Sequence, residues 1–271
     1  MEDIVSSEPA VVAKDIGKIY QLQSSAVRSV FGKKKHDRDV DALRNISFVV
    51  PKGESVGIVG RNGSGKSTLL RIIAGGEAPT SGRIFVSAQP SLLGVSPALQ
   101  GWLTGEQNIF LGLLALGMKP DEAKEAIPEI IEWTELGEAA SRPMNTYSSG
   151  MGAKLSFAIS TAISPEILLV DETLSTGDAA FAAKAQERMQ DLLEGAGNLF
   201  LVSHSPGFIK QNCGRAMWIH QGDLVADGPA EEICGAYEEF SMLLKTNETD
   251  KAQEMKQAMG ETYPPTQVEF A

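Results

Sequence analysis

Eight consecutive residues constrain this chain more than any other feature. Gly60-Arg61-Asn62-Gly63-Ser64-Gly65-Lys66-Ser67 matches G-x-x-x-x-G-K-[ST] in full. The apolar run 55–60 precedes it as a short strand, and a helix is expected from about residue 66 to 74. That strand–loop–helix context is what gives the pattern a mechanism. Glycines permit a tight turn that aims successive N–H groups at one phosphate. The helix N-terminus behind them adds about half a positive charge. Lys66 can then reach β- and γ-phosphates as a point charge, while the hydroxyl of Ser67, followed by Thr68, is placed to ligate Mg²⁺.

A magnesium nucleotide also calls for a carboxylate at the end of a neighbouring strand. The apolar run 167–170 ends at Asp171-Glu172. Asp171 would hold the metal through water, because Mg²⁺ keeps much of its hydration. Glu172, at the strand edge, can polarise an attacking water. By itself an apolar run ending in two acids says little; downstream of a phosphate loop it completes a site. His204 follows the strand 198–203. Most lone histidines are structural, but this strand end suits a γ-phosphate contact.

Strands are also expected at 11–20, 40–50 and 83–87, with a turn at 79–82. Helices are expected at 104–118, 120–135, 151–163 and 179–194, the second opened by Pro120-Asp121-Glu122. Segments 216–220 and 223–225 read as a hairpin around Gln221-Gly222. Apolar strands alternating with helices indicate a mainly parallel sheet with helices around it. The stretch 97–163 holds no expected strand and reads as a helical subdomain. Residues 246–271 are polar, carry Pro264-Pro265, and are expected to be a mobile acidic tail with a weak helical stretch at 250–259. Residues 1–245 would then be one nucleotide-binding domain.

Charge narrows the partners. The chain carries 24 Lys and Arg against 35 Asp and Glu, a net charge of −11. Nucleic-acid binding wants a basic surface, so that class is disfavoured, as is general adhesion to anionic lipid. Nine of the carboxylates, against three lysines, fall in 231–271, so the body is only mildly acidic. Lys33-Lys34-Lys35 in the loop 21–40 is either a solvated surface or a local contact with head groups or a membrane partner. The two cysteines, Cys213 and Cys234, are too few for a disulfide framework and read as small buried side chains in a reducing compartment. No segment approaches the roughly 20 apolar residues of a membrane span. The acidic start, Met1-Glu2-Asp3, does not read as a signal peptide. A cytosolic protein is expected, with any membrane role acting through a partner.

Tyr147-Ser148-Ser149-Gly150-Met151 opens the helix that precedes the run ending at Asp171. It resembles the signature motif L-S-G-G-Q of the ATP-binding-cassette (ABC) ATPases, with Ser148 and Gly150 retained. The resemblance covers residues 10 to about 240. It implies an α/β phosphate-loop fold of the ABC type, with a mixed-sheet core, an antiparallel β subdomain and a helical subdomain. It implies that Ser148, Ser149 and Gly150 touch the γ-phosphate held by a second copy, so that two chains sandwich two ATP molecules head to tail. A serine hydroxyl and free amides at a helix N-terminus suit that contact. Tyr20 matches the aromatic that stacks on adenine, the other reading being an ordinary strand aromatic. Ser175-Thr176-Gly177-Asp178 stands where the family links its two sites. The family's coupling glutamine would fall near Gly94–Pro97, where none occurs; Gln89 and Gln100 flank that position.

These departures, with Leu103-Thr104-Gly105-Glu106-Gln107-Asn108-Ile109 and the Ala179-Ala180-Phe181 that follows Asp178, resemble the ATPase subunits of polysaccharide exporters that move O-antigen, teichoic acid or cell-wall galactan. The resemblance implies a separate permease of about six spans, a lipid-linked glycan handled mainly by that permease, and a place on the cytoplasmic face of the membrane. The roughly 30 residues after Phe240 are too few for the carbohydrate-binding β-sandwich of some members, so the short type is expected. Trp102, between Gly101 and Leu103, either meets the permease or packs beneath the helices. Three alternatives stand beside this reading. One is an ABC exporter ATPase for another substrate. Another is a soluble ABC ATPase acting on nucleic acid, which would usually bring coiled-coil insertions or a second cassette. The last is a GTPase or small-molecule kinase; a GTPase wants Asn-Lys-x-Asp, and Asn247-Glu248-Thr249-Asp250 has the wrong second residue.

Overall fold

The computed structural model describes residues 8–21, 39–93, 99–171 and 179–268. The chain divides into two compact units, Met1–Ala88 with Phe200–Ala271, and Gln89–Leu199.

In the first unit, β1 (Pro9–Tyr20) pairs antiparallel with both β2 (Val40–Pro51) and β4 (Ser81–Val86), giving the order β2-β1-β4. Alternation sends Val11, Ala13, Leu43, Ile46, Phe48 and Val50 inward. The second sheet of the unit follows the order β7-β3-β8-β9. It is built from β3 (Ser55–Val59), the Phe200–Val202 part of β7 (Asn198–Val202), β8 (Arg215–His220) and β9 (Asp223–Pro229). β3 and β8 run parallel, while β8 and β9 form the expected hairpin. Val56, Ile58 and Val59 are fully buried, which is why β3 reads as an unbroken apolar run. Helices α1 (Lys66–Ile73), α6 (Pro206–Asn212), α7 (Ala230–Lys245) and α8 (Thr249–Thr262) complete the unit.

Arg215 ties this unit together. It grips the Asp227 carboxylate with Nε at 2.6 Å and Nη2 at 2.7 Å, and its Nη1 donates to Val49 O and to Glu54. The Asp227 side chain is only 3% exposed. Removing the arginine leaves a buried charge without its partner, a loss of about 3–5 kcal/mol. An Arg215→Ala protein is therefore expected to melt several degrees below the parent in a thermal scan; an unchanged midpoint would refute the clamp.

In the second unit, β5 (Ser91–Leu93) pairs parallel with β6 (Ile167–Asp171). Four helices follow: α2 (Gly105–Ala115), α3 (Pro120–Thr134), α4 (Ser149–Ser160) and α5 (Ala179–Gly195). Thr104 and Gln107 cap α2 reciprocally, and Pro120 occupies the first turn of α3 where its missing N–H costs nothing. Ile109, Leu113, Ile130, Leu155 and Ile159 form the core. Trp133, Phe157 and Phe181 pack ring on ring and bring α3, α4 and α5 together.

Some elements depart from expectation. β4 begins at Ser81, so the expected 79–82 turn ends earlier. Strand β5 and helices α6 and α7 were not expected. The tail does not stay a loose polar segment: α8 forms and buries Ala252 completely, with Met255 and Met259 half-buried on the same face. The helix is followed by Tyr263, whose ring lies where a Cβ on Gly228 would stand and whose carbonyl accepts from Asp227 N at 3.0 Å. A narrow apolar stripe and one backbone bond suffice to dock a helix whose remaining face is polar.

Candidate functional site

The phosphate loop is held from two sides. Gly60 has φ 154°, and a Cβ there would stand 2.2 Å from Ile219 O and 2.6 Å from Ser64 Oγ. Gly65, at φ 112°, immediately precedes α1, and its Cβ would stand 2.5 Å from Ala42 O. The loop thus touches the backbones of β8 and β2, which only glycine allows. A third support is the β8–β9 turn, where Gln221 and Gly222 take left-handed backbone. Gly222 N donates to Ser64 O at 2.9 Å, and Gly222 O accepts from Arg44 N at 2.8 Å. The sequence marked this Gln-Gly pair as a hairpin turn without revealing its hold on the loop.

Two side-chain donors of the loop, Ser64 and Lys66, are buried. Lys66 is buried, and its Nζ donates to Gly60 O at 2.7 Å and Arg61 O at 3.0 Å. Ser64 Oγ is buried without a hydrogen-bond partner among the described residues. Helix α1 has no side-chain cap and no acidic residue in its first turn. Its leading amides are therefore open to an anion. An orphaned hydroxyl, a buried ammonium and open amides around glycines fit a polyphosphate group. Ser67 lies half-buried in the first turn of α1, beside buried Thr68.

Arg61, Asn62 and Gly63 are exposed on the outer side of the loop. Together with His204, His220 and Lys245 they line a cavity of about 750 Å³. His204 is exposed there, at the strand end where the sequence put it. His220, which sequence reading passed over, is held below the usual histidine range by burial first and then by Lys256 and Arg61. Tyr20 ends β1 with its hydroxyl 3.5 Å from Thr68 Oγ1 and donating to Glu77 Oε2 at 2.8 Å. The first unit therefore assembles residues 60–68, Tyr20 and His204.

In the second unit, Asp171 closes β6 and is half-buried. Ser148, Ser149 and Gly150 are exposed at the start of α4, where Ser148 Oγ accepts from Met151 N at 3.3 Å. Trp102 is 61% exposed, so it does not pack beneath the helices. Glu172, Asp178, the Gly94–Pro97 segment and Lys33-Lys34-Lys35 lie outside the described residues.

Residues 43–175 match the family described as ABC transporter. The chain is 42% identical over 223 residues to the teichoic acids export ATP-binding protein of Bacillus anthracis, covering 82% of this chain and 41% of that protein. It is 39% identical to the counterpart of Listeria monocytogenes serotype 4b, covering 82% and 67%. Identity to the Staphylococcus epidermidis protein of the same description is 36%, covering 90% and 93%. The chain thus spans well under half of the first of these relatives and nearly all of the last. Among solved structures, it is similar to a dimeric ATP-binding cassette in a post-hydrolysis state with ADP and Pi, at 22% identity and TM-score 0.61, covering 81% and 98%. It is also similar to an ATP-binding subunit of an ABC transporter, at 23% identity and TM-score 0.62, covering 86% and 93%. These similarities carry the α/β cassette fold. Among the described residues no helix is long and apolar enough to cross a membrane.

Proposed function

This chain belongs to the ABC transporter family of ATP-binding proteins, and on that premise we propose that it hydrolyses ATP to power export of a lipid-linked, teichoic-acid-like polysaccharide through a separate membrane subunit. The observation that carries the ATPase reading is the phosphate loop itself, with the buried Lys66 ammonium and the orphaned Ser64 hydroxyl set in a glycine cradle. The substrate class rests on the relatives described as teichoic acids export proteins.

In this reading residues 60–68 wrap the triphosphate, and Lys66 exchanges the carbonyls of Gly60 and Arg61 for phosphate oxygens. Ser67 and Asp171 are the residues that would hold Mg²⁺, and the ion would supply positive charge to offset that of the triphosphate. Glu172 orients the attacking water and takes up its proton, while His204 donates to the γ-phosphate. Tyr20 carries the adenine. Ser148, Ser149 and Gly150 of a second copy close over the triphosphate, and Asp178 links the two sites. ATP thus favours a closed pair and hydrolysis reopens it, with Trp102 and the helices of the second unit passing the motion to the permease. Residues 1–245 would serve as the catalytic domain, peripheral to the cytoplasmic membrane face.

A Glu172→Gln protein tests this. It is expected to bind MgATP with parent affinity while hydrolysis falls by about 10²–10⁴-fold, and glycan export in cells carrying it is expected to stop. Parent turnover would remove Glu172 from the mechanism.

A further inference from the structure

The carboxylate of Glu77 is the meeting point of three donors from two other elements. Its Oε2 accepts from Tyr20 Oη at 2.8 Å and from Arg71 Nε at 3.2 Å. Its Oε1 lies 3.0 Å from Lys18 Nζ. Glu77 sits just beyond α1, on the way to β4, and its side chain is only 19% exposed. Residues 74–77 form the turn between α1 and β4, where an acid is ordinarily hydrated rather than shared among three donors. Lys18 in turn lies 5.2 Å from the centroid of the Tyr20 ring and donates to Ala78 O at 2.8 Å. Arg71 Nη2 also donates to Tyr20 Oη at 3.3 Å and to Thr68 Oγ1 at 3.4 Å.

We propose that Glu77 is a positioning residue that fixes the ring of Tyr20 as the platform for the adenine, a proposal that rests on the reading of Tyr20 as the base-stacking residue. Stacking demands one ring plane. A tyrosine at a strand end, held only by its χ angles, loses rotamer freedom when a base arrives. Here the phenol oxygen is anchored beforehand. The anchor is charged: burial raises the Glu77 carboxyl, but its bonds from Tyr20, Lys18 and Arg71 outweigh that and hold it below the usual carboxylate range. Thr68 and Arg71 stand on α1, the helix that begins at the phosphate loop. The same network therefore sets the platform at a fixed place relative to the helix that meets the phosphates. Nothing in the local sequence shows this, because Glu77 and Tyr20 are brought together across 57 positions.

The full chain is titrated calorimetrically with two probes, MgADP, which has the base, and inorganic tripolyphosphate, which lacks it. Glu77→Ala and Tyr20→Phe are each expected to raise the MgADP Kd about three- to tenfold, the size of one lost hydrogen bond. The double variant is expected to be no weaker than either single one, because both remove the same bond. Glu77→Gln, which keeps an acceptor oxygen, is expected to recover most of the affinity. Tripolyphosphate is expected to bind every variant as it binds the parent. An equal loss for both probes would show that Glu77 merely supports α1 and would overturn the proposal, as would parent MgADP affinity in Glu77→Ala. Tyr20→Ala separates the layers: if it binds MgADP like the parent, the stacking reading falls and the proposal with it. If it is weakened while Glu77→Ala is not, the proposal falls alone.

Discussion

Replacing Lys66 with alanine is expected to weaken MgATP binding by about 30- to 4,000-fold and to bring phosphate release to background. The lysine is the one cation that the structure buries within the loop, with its ammonium on the carbonyls of Gly60 and Arg61. Those carbonyls place its ammonium at the mouth of the glycine turn, where a phosphate would meet it. Truncating one member of such a charge pair costs about 2–5 kcal/mol, and each 1.4 kcal/mol is tenfold in affinity. Arginine is not expected to rescue it. A longer, planar guanidinium does not reproduce the compact point charge that the ammonium sets on both carbonyls. The measurement is a calorimetric MgATP titration beside a phosphate-release assay, with a thermal melt to show that the variant is folded. Parent affinity in Lys66→Ala would sink the assignment of the loop as the nucleotide site.

The second large effect separates two glycines of one motif. Gly60→Ala is expected to cost about 3 kcal/mol or more in the absence of nucleotide, and Gly63→Ala only about 1 kcal/mol. Both have positive φ, 154° at Gly60 and 76° at Gly63, so both pay for a left-handed alanine. They differ in surroundings. A Cβ on Gly63 meets nothing within 4 Å, whereas one on Gly60 meets Ile219 O at 2.2 Å. That oxygen is backbone of β8, which is paired on both sides by β3 and β9, and it cannot withdraw without opening a sheet. Thermal scans without ligand are expected to show a drop of several degrees for Gly60→Ala and a slight one for Gly63→Ala. Equal drops would mean that the β8 contact has no bearing on the loop.

The elements legible in the sequence are those whose burial leaves a pattern in consecutive residues. The runs 56–59 and 167–170 are apolar throughout because neighbours cover both faces, and each ends at chemistry. Helix α3 was announced by Pro120 and the acids after it. The match to an ABC transporter family over 43–175 agrees with the motif reading. Helix α7 was overlooked although Ile233, Cys234 and Phe240 are buried, because Glu231, Glu232, Glu238 and Glu239 around them mask the apolar stripe. Helix α8 was underrated because one alanine is all that it buries completely. Gly222 and Glu77 escaped for another reason: their partners are distant in sequence, and neither residue type announces itself. His204 was singled out through its strand end, while His220, two residues beyond the wholly buried Trp218, looked like an ordinary strand residue.

The first unit is discontinuous in the chain, Met1–Ala88 joined with Phe200–Ala271. Strand β3 waits for β8, pairing Val56 with Arg215. During synthesis the residues between them emerge first, and Gln89–Leu199 is a contiguous segment able to condense while β3 still lacks its partner β8. The phosphate loop leans on Ile219 and Gly222, so a nascent chain holds the complete nucleotide motif long before it holds a nucleotide site. On the proposed function, ATP therefore cannot template the early stages of folding. It can reward only a chain translated past the β8–β9 turn, and until then β3 carries an unpaired edge that the cell must shield.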